Sequence, residues 1–234
     1  MGLKELRKEL KKEANKEQAV ILQRFFKTGK GEYGEGDKFY GIKVPVQRRI
    51  ARKHRDISLK EIQGLLNSPV HEERLVSLFI LVDQYSKGDV KTKEKLFHFY
   101  LKNTKNINNW DLVDLSAPKI VGAHLLKRDK KILFRLAVSS NLWEKRISIL
   151  STYTFIKNQN FETTFRIAKI LLNDEHDLIH KGVGWMLREA GNQNLDEEEK
   201  FLKKHYKQMP RTMLRYAIEK FPERKRKAYL QGII

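Results

Sequence analysis

The chain has 234 residues, no cysteine, 40% hydrophobic residues, and 48 Lys and Arg against 29 Asp and Glu, for a formal net charge of +19. Without cysteine there can be no disulfide framework, thiolate nucleophile or cysteine-ligated metal site, and no apolar run approaches the length that spans a bilayer. The length suits one core or one short solenoid, and so large a positive excess makes nucleic acid the first partner to consider, beside the plainer reading of a well-solvated, lysine-rich surface.

In chain order, the start from Met1 to Lys16 is charged and helical rather than signal-like, which predicts a cytoplasmic protein. A basic helix is expected over about Leu3–Phe26. A loop follows over Thr28–Gly41, where Gly29, Gly31, Gly34, Gly36 and Gly41 fall together; it reads equally as a mobile arm facing the ligand or as a surface linker. Proline is scarce, and apolar residues then recur at helical spacing to the end of the chain. Start signals are Ser58 with Glu61, Ser68 with Pro69, Asn141 with Glu144, and Asp196 with Glu199. Similar helices open at Val70, Ile107, Leu142, Leu178 and Met209, at intervals of 37, 35, 36 and 31 residues. That period predicts an all-α, HEAT-like solenoid of about six stacked helix pairs with a concave groove. One domain is expected over residues 1–234, with the N-terminal helix and glycine loop in 1–45 and the repeats in 46–234.

If the second helix of each pair lines the groove, its residues name the ligand. These helices carry Arg74; Trp110, Asp111 and Asp114; Trp143, Lys145 and Arg146; Lys181, Trp185 and Arg188; and Arg211 with Arg215. Helical spacing sets Trp110 beside Asp114, Trp185 between Lys181 and Arg188, and Arg211 beside Arg215. A lone tryptophan at helical spacing is more often core than site, but Trp110, Arg146 and Trp185 are 36 and 39 residues apart, close to one repeat each. Asp114 is either a salt-bridge partner or a chemical group, because a carboxylate in a phosphate groove otherwise repels its ligand. The seven histidines read as surface or packing residues; only His176 and His180 are four apart, without the Glu of a zinc-hydrolase helix, so no metal site is expected.

The chain resembles the DNA alkylation repair family of HEAT-like DNA glycosylases, the AlkD family, over nearly its whole length. The resemblance is carried by Lys27-Thr28-Gly29, Tyr33-Gly34-Glu35-Gly36-Asp37, Phe39-Tyr40-Gly41-Ile42, Pro45 and Arg48. It continues through Asn109-Trp110-Asp111-Leu112-Val113-Asp114, Trp143 with Arg146, Gly184-Trp185-Met186-Leu187-Arg188-Glu189 and Pro210-Arg211-Thr212. Asn109 stands where some relatives have an aromatic residue. The resemblance implies excision of purines alkylated at ring nitrogen three or seven from duplex DNA, with no base-flipping pocket and no metal or organic cofactor. It matches Asp114, Trp110, Arg146 and Trp185 to the catalytic groups, with Arg146 holding a phosphate or Asp114 itself. Lys43, Arg48, Trp143, Lys181, Arg188, Arg211 and Arg215 are the expected DNA contacts of a monomer that joins the nucleoid when bound. The rival readings are a non-catalytic binder of bent, damaged or branched DNA, and a protein-binding scaffold, which a basic groove disfavours.

Overall fold

The structure is a computed structural model that describes Gly2 to Ile234. It is all-α; the only bridge between extended residues among those described pairs Lys38 with Val70. Contacts divide the chain into two units, 1–116 and 117–234.

The first unit begins with α1 (Leu3–Lys12) and α2 (Lys16–Phe25). The expectation of one helix over this stretch fails at Asn15. Its side chain accepts from Gln18 N–H to cap α2, and its own N–H donates 2.8 Å to the Tyr40 carbonyl, so a residue that prefers helix starts ends the run. Next come α3 (Val44–Lys53), α4 (Leu59–Leu66), α5 (His71–Lys87), α6 (Val90–Lys102) and α7 (Trp110–Ala117). Ser58 and Glu61 form the expected reciprocal cap of α4. The unit is organised around α5, which packs on α3, α4 and α6 and has every residue from His71 to Leu81 buried.

The glycine loop is pinned to α5 at its C-terminal end. Lys38 N–H donates to Pro69 O and His71 N–H to Lys38 O, and the buried Glu72 carboxylate accepts from three successive amides, Tyr40 (3.0 Å), Gly41 (2.8 Å) and Ile42 (3.1 Å). Gly41 sits at φ 83°, and a Cβ there would run into the first turn of α2 at Asn15 O and Ala19 N, so only glycine fits. The C-terminal end of the loop is thus held by hydrogen bonds of its backbone, three of them accepted by the Glu72 carboxylate, which neither the arm nor the linker reading anticipated.

The second unit contains α8 (Ala123–Leu125), α9 (Lys131–Ala137), α10 (Leu142–Ser151), α11 (Tyr153–Lys157), α12 (Glu162–Ile170), α13 (Asp177–Gln193), α14 (Leu195–His205), α15 (Arg211–Ala217) and α16 (Glu223–Gln231). Its hub is α13, which packs on α10, α11, α12, α14 and α15. Gly184 permits the α13–α15 approach, since a Cβ there would collide with Met213 O and Tyr216. The expected start of α14 shifts by two residues: Asn194 caps it through Glu197 N–H, and Asp196 falls inside the first turn.

One buried group in this unit opposes folding. Glu198 is 1% exposed, and its Oε1 has no hydrogen-bond partner among the described residues. Burial, with the neighbouring Glu199 charge, pushes its carboxyl up to about 9. A carboxyl whose folded pKa is raised costs stability progressively as pH climbs from its ordinary value towards the folded one. Glu198→Gln is therefore expected to stabilise the protein by up to about 5 kcal/mol at pH 8 and by nothing near pH 4. Thermal unfolding at the two pH values checks this, and an equal shift at both would exclude the carboxyl's charge as the cause.

Candidate nucleic-acid interface

In the first unit the candidate residues stand at the start of α7. Asn109 Oδ1 accepts 2.8 Å from Trp110 N–H, and Asp111 Oδ1 accepts 2.8 Å from Leu112 N–H, so local side chains take up the orphan donors of the first turn. This moves the helix start from Ile107 to Trp110. Asp114 lies one turn further on, and both Trp110 and Asp114 are half-buried. The charge of Asp114 reaches Tyr100 on α6: burial raises that phenol's pKa, its hydrogen bond with Ser116 (2.9 Å) opposes the rise, and Asp114 adds to it.

Trp110 belongs to an aromatic cluster that sequence reasoning missed. Its ring stacks on Phe26 (centroids 5.3 Å apart, planes at 26°) and meets the edge of Phe25 at 5.9 Å, while Phe25 itself is 60% exposed. Phe26 also lies 5.3 Å from Phe39 and 4.8 Å from His71. The two phenylalanines at the end of α2 looked like the tail of an amphipathic helix, and their contacts with Trp110 are 85 and 84 positions away in sequence.

Beneath the rings is a buried ionic row. Arg74 donates to Ser68 O (2.9 Å) and to Asp37 Oδ2 (2.6 Å); Asp37 Oδ2 lies 3.3 Å from His71 Nδ1, and His71 Nε2 lies 2.8 Å from Asp111 Oδ2. Arg74 is 3% and His71 2% exposed, which corrects two expectations: Arg74 is an internal ion-pair partner rather than a groove residue, and His71 is no ordinary packing histidine. The available signal was four titratable residues in succession, His71 to Arg74, ahead of a run, Leu75 to Val82, that is apolar but for Ser77. Of the expected DNA contacts in this unit, Lys43 is exposed at the head of α3, and Arg48 stacks its guanidinium 4.2 Å from the Phe79 ring centre.

In the second unit Trp185 is half-buried on α13. Its indole Nε1 donates 3.1 Å to Glu189 Oε1, the opposite oxygen of Glu189 lies 3.4 Å from Lys157 Nζ, and Tyr153 sits 6.3 Å from the indole ring. Helical spacing pointed to Lys181 and Arg188 as its neighbours, whereas the hydrogen-bond partner is an acid one turn on. Lys181 pairs with Asp177 at 2.7 Å, and Arg188 pairs with Glu219. Arg211 is exposed and donates to the Leu230 carbonyl, and Arg215 is exposed on the same helix.

Arg146 and Trp143 differ from the solvent-facing picture. Arg146 is 4% exposed and donates to the Leu178 carbonyl, which ties α10 to the first turn of α13; Trp143 is 8% exposed and packs within the unit. A fully hydrated phosphate contact does not suit either burial. Among the described residues no group of three or more His, Asp or Glu could hold a metal ion, and no helix is long and apolar enough to cross a membrane.

Helices packed on helices, with a surplus of exposed cations and two half-buried indoles on separate units, define an all-α helical-repeat protein with the surface chemistry of a polyanion binder. The chain belongs to the DNA alkylation repair enzyme family, whose family model matches residues 6–221. Its fold is similar to that of a protein from Enterococcus faecalis described as a predicted DNA alkylation repair enzyme, with a TM-score of 0.69 and 15% identity over 90% of this chain and 98% of that one. No curated protein sequence matches it significantly.

Proposed function

We propose that the protein is a DNA glycosylase that releases cationic N3- or N7-alkylated purines from duplex DNA. The observation that carries this reading is the first two turns of α7, where a carboxylate, Asp114, follows an indole, Trp110, that is braced from behind by Phe26. An alkylated purine already carries positive charge, so its glycosidic bond breaks through an oxocarbenium-like sugar, and the protein need only stabilise that cation and supply water. Asp114 serves both needs, by its charge and by orienting or deprotonating the attacking water. The indole face of Trp110 attracts the sugar more strongly as its charge grows, and Trp185, on the second unit, makes a separate contact with the DNA. Arg146, buried and bonded to α13, holds the helix that carries Trp185. Lys43, Arg48, Lys181, Arg188, Arg211 and Arg215 supply the phosphate contacts of a monomer acting as a single repeat domain, without a cofactor; Trp143 contributes through packing.

Trp185→Ala tests the role of the second indole. An indole that touches the DNA does so in ground and transition states alike, so the variant should bind methylated duplex several-fold more weakly and release base roughly tenfold more slowly. Single-turnover release with parallel binding measurements reads both. Unchanged binding and release would remove Trp185 from the interface.

A further inference from the structure

Resting on the excision reading above, we propose that His71, held as an imidazolium between Asp37 and Asp111, is a positioning residue for base release that fixes the plane of Trp110 and the first turn of α7. Both ring nitrogens face carboxylate oxygens, at 3.3 Å to Asp37 and 2.8 Å to Asp111. Carboxylates only accept hydrogen bonds, so the ring must donate from both sides and carry both protons. A neutral ring would set a lone pair against one of two buried acids. Arg74 completes the row at 2.6 Å from Asp37, so the signs alternate and the buried charges cancel.

Two routes lead from this ring to Trp110. Asp111 is the next residue along the chain, so its ion pair with His71 grips the turn that aims the indole. On the ring's face, His71 stacks with Phe39 at 4.7 Å and meets Phe26 at 4.8 Å with the planes tilted by 31°, and Phe26 in turn stacks on Trp110. A residue that only filled space would need the second route and not the first. Burial alone would discharge the imidazole, but the Asp111 charge and the hydrogen bonds to Asp111 and Asp37 outweigh it and lift the ring to about 9, with Arg74 opposing. The groups that face the ring are Asp37 and Phe39 from the loop, Phe26 from the end of α2, Asp111 from α7, and Arg74 on its own helix; only Asp37, Asp111 and Arg74 are charged.

The consequence is an alkaline limb in excision. Single-turnover release by the wild type should hold steady through neutral pH and fall as pH passes about 9, after subtraction of spontaneous loss from the DNA alone. Asp37→Asn keeps the shape and an acceptor for Nδ1 but removes one negative charge, so the limb should move down by about one pH unit or more. Affinity for duplex at pH 7 should stay within about twofold, because no phosphate contact is touched. His71→Gln should lower the rate roughly tenfold at pH 7 and abolish the limb. Imidazole NMR of the wild type should show His71 doubly protonated at pH 7, a readout that stands even if the variants fold poorly. A neutral ring at pH 7, or a limb that Asp37→Asn leaves in place, would overturn the positioning role while leaving excision intact. No base release from the wild type would overturn the excision reading and this proposal together.

Discussion

Asp114→Asn is expected to slow release of methylated purines about a hundredfold while leaving affinity for duplex DNA equal or higher. The substitution keeps shape and hydrogen-bonding capacity and removes only the negative charge. In the ground state that charge repels phosphate, so its loss cannot weaken binding through electrostatics. In the transition state it faces a developing oxocarbenium ion from a half-buried position, where screening by water is incomplete. Two powers of ten correspond to about 2.7 kcal/mol, the size expected of a preorganised group in a catalytic site and well above the 0–1 kcal/mol of a surface ion pair. The effect should be confined to cationic lesions such as 7-methylguanine and 3-methyladenine, with no activity on normal guanine to lose. Wild-type rates from the variant would remove Asp114 from the mechanism.

The second large effect is salt. About five phosphates neutralised by Arg48, Lys181, Arg188, Arg211 and Arg215 give a log–log slope near −4 to −5, which amounts to a roughly 250- to 1,000-fold loss of affinity between 50 and 200 mM salt. The ion pairs within the protein bear on this estimate. Lys181 is held by Asp177 and Arg188 by Glu219, so each must exchange a carboxylate for a phosphate on binding, whereas Arg215 is exposed. Arg215→Ala should lower the slope by about one, and Arg188→Ala by less, because Glu219 is then released from its partner. Titrations of unmodified duplex at several salt concentrations suffice, since phosphate contacts carry little sequence information. A nearly flat dependence would exclude the polyanion interface.

Helices were legible in the sequence because burial of one helical face imposes a period. Four of the five expected helix starts lie within two residues of α5, α10, α13 and α15. The exception, α7, opens three residues late because Asn109 and Asp111 satisfy its first amides themselves. The break at Asn15 was hidden for a related reason: a capping residue inside a basic amphipathic run looks like one more solvated polar residue until Tyr40, 25 positions away, accepts its N–H.

The site was legible only in part. Trp110 and Asp114 share a helix, so their adjacency follows from spacing. The Phe26 stack and the Asp37–His71–Asp111 row join residues up to 84 positions apart, from Phe26 to Trp110, and no local pattern encodes such meetings. Trp185 illustrates the limit of helical geometry: spacing singled out Lys181 and Arg188, whereas the indole N–H bonds to the acid Glu189 because it is a donor. Arg146 and Trp143 were placed on the right helix but their depth was left open, since periodicity gives a face and not a depth; both are buried.

The most direct test of the central claim is release of free base from duplex DNA methylated at random, with the wild-type protein in excess and the products identified by mass. 7-Methylguanine and 3-methyladenine should appear well above their spontaneous rates without added metal, and unmethylated DNA should yield no base. Binding of the same DNA with no base released above the spontaneous rate would contradict the glycosylase reading and leave a non-catalytic DNA-binding protein in its place.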